Sequence, residues 1–257
     1  MSSSRPPIER QQHILDLIEK RNSISVNELC QLLGVSDMTV RRDLRSLSKA
    51  GLLERVYGGA LLRRGRSYEP PYITRMAENI EKKEIIGRRA AALVDDGDSI
   101  ALDVGTTTLE LAKSLRSASN LTIITASVHI ANILNEAPSL RLILTGGILR
   151  TQELSLIGHI AERTFKDFHV DKAFVGVGGV DLKDGLTEYN VEDMLVKRAM
   201  IENADQVIVV TDSSKLGKNC FATIAPLSVV DILVTDSDIP EKIREQLTKE
   251  GIQVIVA

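Results

Sequence analysis

The stretch that decides the fold is Ser36-Asp37-Met38-Thr39-Val40-Arg41-Arg42-Asp43-Leu44-Arg45. It follows a helix-like segment and a Gly34-Val35 turn, where a helix-turn-helix protein places its recognition helix. At about 100° per residue, an apolar stripe forms from Val40, Leu44 and Leu47. The opposite face carries Arg42, Arg45 and Lys49. One face can therefore pack against a core while the other presents positive charge to an anion.

The residues before this stretch predict two further helices. The first carries four apolar side chains on one side: Ile14, Leu15, Leu17 and Ile18. The second opens with Ser25-Val26-Asn27-Glu28, a capping-box pattern, and Gly34 ends it. We expect Ser36 to cap the third helix and Gly51 to end it. Asp43 lies near the apolar stripe, so we expect it to pair with an arginine inside the protein.

The residues after this stretch predict a wing. In Leu52–Leu61 two apolar runs flank a Gly-Gly pair, which is typical of a small hairpin. Three helices and a hairpin make a winged helix-turn-helix domain that binds double-stranded DNA. The candidate DNA contacts are Ser36, Met38, Thr39, Arg41, Arg42, Arg45 and Lys49 on the third helix, with Arg55 and Tyr57 on the wing. The alternative is that the basic face is only solvated, but the cap, turn, spacing and hairpin together favour DNA binding.

These residues resemble the DeoR/GlpR family of bacterial regulators of sugar metabolism. The matching residues are Arg10, Ile14 and Ile18, then Ser36–Leu44, and finally Arg55–Ala60. The resemblance implies a winged-helix repressor, usually oligomeric, that a phosphorylated sugar or a related metabolite releases from DNA. A homodimer or homotetramer is therefore expected.

The charge distribution agrees with a DNA-binding head. The 257 residues include 32 Lys and Arg and 35 Asp and Glu, for a formal net charge of −3. Residues 1–66 alone hold 12 Lys and Arg against 7 Asp and Glu, so the remainder is acidic. Because this asymmetry is modest, the placement of individual arginines must carry the DNA affinity.

Several classes of protein are excluded. Met1–Pro7 contains no apolar stretch, which argues against a signal peptide, and no segment is apolar enough to span a membrane. Cys30 and Cys220 are the two cysteines, and we expect them to stay reduced, as in a cytoplasmic protein. The four histidines lack metal-ligand spacing. We therefore expect a cytoplasmic protein, associated with the nucleoid when bound to DNA, with no metal and no cofactor.

The chain is expected to have three parts. Residues 1–61 form the winged helix-turn-helix domain, residues 62–74 a linker and residues 75–257 a sensor domain. The linker is rich in Gly, Pro and charge, and its arginines either touch DNA phosphates or are only solvated. From Thr74 to Val94, apolar residues at helical intervals predict one helix.

The third part alternates short β-branched runs with helices. The predicted strands span residues 99–104, 121–125, 140–144, 173–177, 206–212, 232–236 and 252–256. Continuous apolar runs of this kind indicate a Rossmann-like α/β fold, with a mostly parallel sheet that helices cover on both faces.

Polar and Gly-rich residues follow several of these strands, where ligands bind in parallel sheets. Asp103-Val104-Gly105-Thr106-Thr107-Thr108 combines a tight turn with the N-terminus of a helix, which favours anions. It is neither a P-loop nor a dinucleotide fingerprint, because the required Gly and Lys residues are absent. The Thr run is therefore either a phosphate site or only a capped helix. Lys215 could add positive charge nearby.

This half resembles the sensor domain of the same family, which is itself similar to ribose-5-phosphate isomerase. The resemblance implies that residues 105–108 hold a phosphate and that Asp103, Asp181 and Lys197 contact sugar hydroxyls. The other expected effector contacts are Thr125, Gly146, Gly147, Gly179 and Lys215. Lys197 is alternatively an exposed helix lysine.

Two departures from these patterns affect the functional prediction. Thr125-Ala126 stands where the family often has Thr-Asn, which leaves the identity of the ligand open. Val196-Lys197-Arg198 stands where the isomerase has its acid/base Glu, so proton transfer between sugar carbons lacks its base. We therefore predict a DNA-binding transcriptional regulator that represses a carbohydrate-utilisation operon. The alternatives are an isomerase-like enzyme with a DNA-binding head, and an activator that binds DNA constitutively.

Overall fold

The computed structural model describes residues 6–21, 23–49, 52–62, 65–137 and 139–257. They form two compact units, one ending at Gly65 and the other beginning at Arg66. Within the described residues, every helix is too short or too polar to cross a membrane.

The first unit is a winged helix-turn-helix, as predicted. Its elements are α1 (Pro7–Arg21), β1 (Ser23–Ser25), α2 (Val26–Leu33), α3 (Asp37–Lys49), β2 (Leu53–Val56) and β3 (Gly59–Leu62). The strands form an antiparallel sheet in the order β1-β3-β2. The predicted hairpin is thus widened by β1, a strand that the sequence patterns did not indicate.

Local signals fix the turn before α3. Ser25 accepts a hydrogen bond from the Glu28 N–H, and the Glu28 carboxylate accepts one from the Ser25 N–H, which confirms the capping box. Gly34 has φ 64°, and its N–H bonds to the Cys30 carbonyl. Glycine adopts this left-handed conformation without a steric penalty, so α2 stops there. Gly51, the expected end of α3, lies outside the described residues.

The second unit contains most of the secondary structure. Its helices are α4 (Tyr72–Ala77), α5 (Ile80–Ala91), α6 (Thr106–Ser114), α7 (Val128–Leu134), α8 (His159–Lys166), α9 (Val191–Glu202) and α10 (Glu241–Lys249). Its strands are β4 (Ser99–Leu102), β5 (Leu121–Thr125), β6 (Leu140–Leu144), β7 (Ile148–Arg150), β8 (Ser155–Ile157), β9 (Val170–Val175), β10 (Gly179–Asp181), β11 (Gly185–Glu188), β12 (Ala204–Val210), β13 (Ala222–Ala225), β14 (Ile232–Thr235) and β15 (Gln253–Val256).

A seven-stranded parallel sheet organises this unit, in the order β15-β14-β12-β9-β4-β5-β6. Alternate residues along a strand point to opposite faces, so Ile100 and Leu102 of β4 join one hydrophobic core and Ala101 joins another. The sheet is therefore covered on both faces, which confirms the predicted fold class. The small antiparallel pieces, β10-β11-β13 and β7-β8, were not predicted because each strand is only three or four residues long.

The single helix predicted from Thr74 to Val94 is wrong. The structure has two helices, α4 and α5, which are separated at Glu78-Asn79. Asn79 has φ 54°, a left-handed conformation that asparagine tolerates better than most residues. In addition, α4 begins at Tyr72, inside the stretch that we expected to be linker. The Asn79 side chain donates to Asp212 Oδ1 at 3.2 Å, which holds the α4–α5 turn near the end of β12.

Candidate functional site

The outward face of α3 is an exposed cationic surface. Arg42, Arg45 and Lys49 are all exposed, and none of them makes an ion pair within the part of the chain that the structure describes. Met38, near the start of the helix, is 81% exposed. Exposed, unpaired cations beside an exposed apolar side chain match the needs of a helix that enters the major groove.

The buried face of α3 is held by a charge pair. Arg10 Nε of α1 lies 2.5 Å from Asp43 Oδ2, and both side chains are almost fully buried. Arg10 Nη2 donates to the other carboxylate oxygen at 3.2 Å. Asp43 is therefore the internal partner that we predicted, and the pair fixes α3 against α1.

The side chains of the remaining DNA-contact candidates differ in exposure and in the bonds they already make. Arg41 pairs with Asp37 at 2.5 Å on the exposed side of α3. Ser36 and Thr39 share a 3.0 Å hydrogen bond between their hydroxyls at the start of the helix. On the wing, Arg55 is exposed, and Tyr57 is fully exposed at the turn between β2 and β3. All of these residues lie on the surface of the first unit.

The second unit has a polar cavity at the carboxyl ends of β4, β9 and β12. Its lining includes the residues that follow each strand, namely Val104–Thr107, Gly176–Gly178 and Thr211-Asp212. The rest of the lining comes from α4, α5 and the turn between them, from the end of β11 and from α9, and from residues in and after β12: Arg75, Glu78, Asn79, Lys83, Glu188, Tyr189, Lys197, Val210, Ser214 and Lys215. This is the edge at which parallel sheets bind ligands.

The N-terminus of α6 forms one wall of the cavity. Gly105 precedes the helix with φ 142°, a conformation that a larger residue rarely adopts. The Thr108 hydroxyl donates to the Gly105 carbonyl at 3.0 Å and so stiffens the turn. Thr106 and Thr107 line the cavity, at helix positions whose N–H groups have no intrahelical acceptor. This wall is suited to an anion.

Two cations of the lining lack a carboxylate partner among the described residues. Lys83 is only 3% exposed, and its ammonium donates to the backbone carbonyls of Arg75 and Glu78. Lys215 Nζ lies 6.0 Å from the centre of the Tyr189 ring. Burial lowers the pKa of both lysines, because desolvation disfavours the charged form. A bound anion would raise the pKa of both lysines again, because it stabilises their charged form.

Lys197 occupies a different environment. Its ammonium donates to Asp103 Oδ2 at 2.6 Å and to the Gly176 carbonyl at 2.8 Å, and it pairs with Glu188 Oε2 at 3.0 Å. Burial opposes its charge, but the two carboxylates outweigh it and raise the pKa of Lys197. All three N–H groups are thus used, since an ammonium has three donors. Lys197 is buried and braces the cavity, and the Glu188 carboxylate also lines it.

The structure brings together only some of the effector residues that we predicted. Gly105, Thr106, Thr107, Lys197 and Lys215 line the cavity. Asp103 and Thr108 lie directly behind it, bonded to Lys197 and Gly105.

The other five predicted residues do not reach the cavity lining. The Asp181 carboxylate is occupied by its own turn, where it accepts the N–H groups of Lys183 and Asp184 at 2.9 Å. The Thr125 hydroxyl accepts the Ser127 N–H at the start of α7. The glycines serve close packing: Gly146 and Gly147 against residues 157–161, and Gly179 against the Lys218 backbone.

Sequence reasoning missed Arg75, Lys83, Glu188 and Tyr189. The first two precede the sheet in the sequence, and no motif marked them as facing the strand ends. Glu188 lies nine positions before Lys197, and only the pairing of β11 with its neighbours places the two together.

Comparison with known proteins decides the family. The DeoR-like helix-turn-helix domain matches residues 10–64, and the DeoR C-terminal sensor domain matches residues 78–237. The chain belongs to the DeoR family. Like the other members, this DeoR-family protein is a transcriptional regulator and not an enzyme.

Similar regulators match this DeoR-family chain along nearly its whole length. The HTH-type transcriptional repressor GlcR of Bacillus subtilis is 37% identical, covering 96% of this chain and 95% of the relative. The glycerol-3-phosphate regulon repressor of Escherichia coli is 34% identical, covering 96% and 97%. Among solved structures, ribose 5-phosphate isomerase A of Methanocaldococcus jannaschii matches with a TM-score of 0.40 and 20% identity, over 54% of this chain and 55% of that chain.

Proposed function

We propose that this regulator represses a carbohydrate-utilisation operon and that a phosphorylated sugar, or a related phosphorylated metabolite, releases it from its operator. The observation that carries the proposal is the pair Lys83 and Lys215, two cations in the cavity lining that form no ion pair among the described residues. A buried ammonium without an ion-pair partner is costly, and a bound anion offsets that cost.

A phosphate group suits this wall better than a carboxylate does. It carries close to two negative charges at neutral pH and three acceptor oxygens. The lysines supply the charge, and the N-terminus of α6 at Thr106-Thr107 supplies N–H donors. Glu188, a carboxylate on the same lining, can accept hydrogen bonds from sugar hydroxyls. The name of the glycerol-3-phosphate regulon repressor supports the same class of effector.

DNA recognition is assigned to residues 1–61, effector binding to residues 75–257 and the connection to residues 62–74. Arg42 and Arg45, with Met38 and Thr39, read bases in the major groove. Arg41, Lys49 and Arg55 bind backbone phosphates, and Ser36 and Tyr57 are further DNA contacts. A homodimer or homotetramer places two or more recognition helices on half-sites about 10 base pairs apart, or a multiple of that spacing. The regulator acts in the cytoplasm, where its DNA is.

Release follows from a difference in affinity between two states. The sensor has two conformations, one that holds the DNA-binding units in place for the operator and one that does not. The effector binds the second conformation more tightly than the first. The coupling of such systems is about 1–3 kcal/mol. An effector with equal affinity for both states would leave the DNA affinity unchanged.

Calorimetry on the full-length protein tests the proposal. A panel of sugar phosphates is compared with the unphosphorylated parent sugars. We expect at least one phosphorylated compound to bind while its parent does not. Lys83→Met and Lys215→Met should each weaken that binding about tenfold or more, since hydrogen bonds to charged groups contribute about 1.5–3 kcal/mol. Lys242→Met, at an exposed position of α10, is the matched control. Equal binding of parent and phosphate, or unchanged binding in both cavity variants, would contradict the proposal.

A further inference from the structure

Arg75 belongs to two arrangements at once. It lines the cavity, and its guanidinium also forms ion pairs with Glu69 and Glu153. The Arg75–Glu69 distance is 2.9 Å, and all three side chains are 15% exposed or less. An anion in the cavity therefore meets an arginine that is already bound to two carboxylates.

These groups are part of a larger ionic cluster. Arg150 pairs with Glu69 at 2.7 Å and also with Asp193. Two guanidiniums thus share three carboxylates. If Arg75 moves away, Glu69 and Asp193 still form ion pairs with Arg150. Glu153 has no other ion pair within the described residues. Glu153 is the group that most directly competes with a ligand for Arg75.

The cluster fastens the segment that enters the second unit. Glu69 lies shortly after the unit begins at Arg66, and Arg75 lies on α4. Their partners lie on other elements, with Arg150 at the end of β7, Glu153 in the β7–β8 turn and Asp193 in the first turn of α9. Residues 66–77, which we call the entry segment, are therefore held by charge to the body of the unit.

The helix of the entry segment is anchored to the apolar core at one residue. Tyr72 is the one fully buried residue of α4, while Ile73 and Met76 are exposed. The Tyr72 ring stacks on His129 with 4.3 Å between centroids, but its buried hydroxyl has no hydrogen-bond partner among the described residues. Elements with few buried apolar contacts open readily. The ion pairs of Arg75 are thus the main attachment that a ligand could alter.

We propose that Arg75 is an effector-binding residue that exchanges Glu69 and Glu153 for the anion, so that effector binding loosens the entry segment that leads to the DNA-binding unit. This inference rests on the proposed function, because it requires an anion in the cavity. Arg75 lies close to the proposed anion site, because its backbone carbonyl accepts a hydrogen bond from the ammonium of Lys83. A guanidinium binds phosphate oxygens in the same forked geometry in which it binds carboxylates.

Competition between the carboxylates and the anion for Arg75 can be measured from either side. If the carboxylates and the anion compete for Arg75, weakening one interaction must strengthen the other. Glu153→Gln and Glu69→Gln should therefore increase the affinity for an anion, whereas a purely structural cluster would lose affinity or stay unchanged.

The first experiment measures inorganic phosphate binding to the full-length protein by ³¹P NMR. We expect Arg75→Gln to weaken binding about tenfold, and Glu153→Gln and Glu69→Gln each to tighten it about fivefold. Glu84→Gln is the matched control, because Glu84 is exposed on α5, lies outside the cavity lining and forms no ion pair among the described residues. It measures the effect of removing a negative charge outside the cavity, and we expect it to change the affinity less than twofold.

The second experiment measures hydrogen exchange of the entry segment. Phosphate should speed the exchange of amides in residues 66–77 of the wild type and leave it unchanged in Arg75→Gln. Slower or unchanged exchange in the phosphate-bound wild type would overturn the coupling.

The two levels of the account fail in different ways. If the wild type binds no phosphate, or Lys83→Met and Lys215→Met both bind it equally well, the proposed function fails. If a lysine variant weakens binding but neither Glu153→Gln nor Glu69→Gln tightens it beyond Glu84→Gln, only the role of Arg75 fails. Should one of the two Gln variants not fold, the other decides the outcome.

Discussion

The two units present cations to phosphate in opposite ways. On α3, Arg42, Arg45 and Lys49 are exposed to solvent. In the sensor cavity, Lys83 is buried and Lys215 is partly buried, and desolvation lowers the pKa of both. The first surface suits the long, regular array of charges on DNA, and the second suits one small anion that leaves water.

Because of this difference, the two units respond to different solution conditions. Exposed cations release counterions when they bind DNA, so their contribution falls steeply with salt. Partly buried cations are screened much less, but their charge depends on pH once desolvation has lowered their pKa. We therefore expect DNA binding to be sensitive to salt and effector binding to be sensitive to pH.

One added negative charge in the sensor cavity should abolish effector binding without affecting DNA binding, and this is the strongest effect that we expect. Thr107→Asp places a carboxylate where the cavity wall is expected to hold phosphate, so effector binding should fall more than about 100-fold through like-charge repulsion. DNA binding should be unchanged, and the variant should stay on its operator when effector is added. Calorimetry and fluorescence anisotropy measure the two activities. Thr248→Asp, on an exposed position of α10, is the control. Normal release by effector would contradict the phosphate site.

Arg42→Ala should have the opposite effect, a loss of DNA binding without a loss of effector binding. It should weaken specific DNA binding by about 1–3 kcal/mol and leave effector affinity intact, because the side chain is exposed and forms no ion pair among the described residues. Anisotropy with a specific fragment and a scrambled one measures the loss. Arg89→Ala, an exposed arginine of α5, should change nothing. An unchanged operator affinity for Arg42→Ala would remove this residue from the recognition surface.

The pH dependence of effector binding should follow the two lysines. Their pKa values are lowered in the free protein, so they lose their protons at a lower pH than a solvated lysine does. Affinity should therefore fall as the pH rises through the alkaline range, below the ordinary lysine pKa of about 10.4, and binding there should take up protons. Calorimetry in two buffers of different ionisation enthalpy measures the uptake. Constant affinity without proton uptake would show that neither lysine binds the anion.

The smallest expected effect concerns the salt dependence of DNA binding. Lys49→Ala should weaken binding nearly uniformly across sequences and reduce the slope of log K against log salt by about 1. The same salt series should change effector binding much less. A slope equal to that of the wild type would mean that Lys49 contacts no phosphate.

Local sequence signals predicted the DNA-binding unit well. The capping box at Ser25, the turn at Gly34 and the apolar stripe of Val40, Leu44 and Leu47 all act within a few residues of one another. The role of Asp43 was predictable for the same reason, because its position on the helix wheel already placed it toward the core. Short-range periodicity was sufficient here.

The sensor cavity was predictable only in part. The strand-end rule pointed to residues 105–107, which line the cavity, since parallel strands bring their carboxyl ends to one edge. The family resemblance pointed to Asp181, whose carboxylate is occupied by its own turn, a detail of loop geometry that spacing does not reveal. Arg75 lies on α4 and Lys83 on α5, and the left-handed Asn79 that breaks the expected helix between them was not foreseen.

Release of the intact protein from DNA is the decisive measurement. A labelled fragment from the region upstream of its own gene is titrated with protein at fixed salt, with each sugar phosphate and each unphosphorylated parent sugar in turn. We expect specific binding that one phosphorylated compound relieves and its parent does not. Specific binding that every compound leaves unchanged, or that parent and phosphate relieve equally, would contradict this expectation.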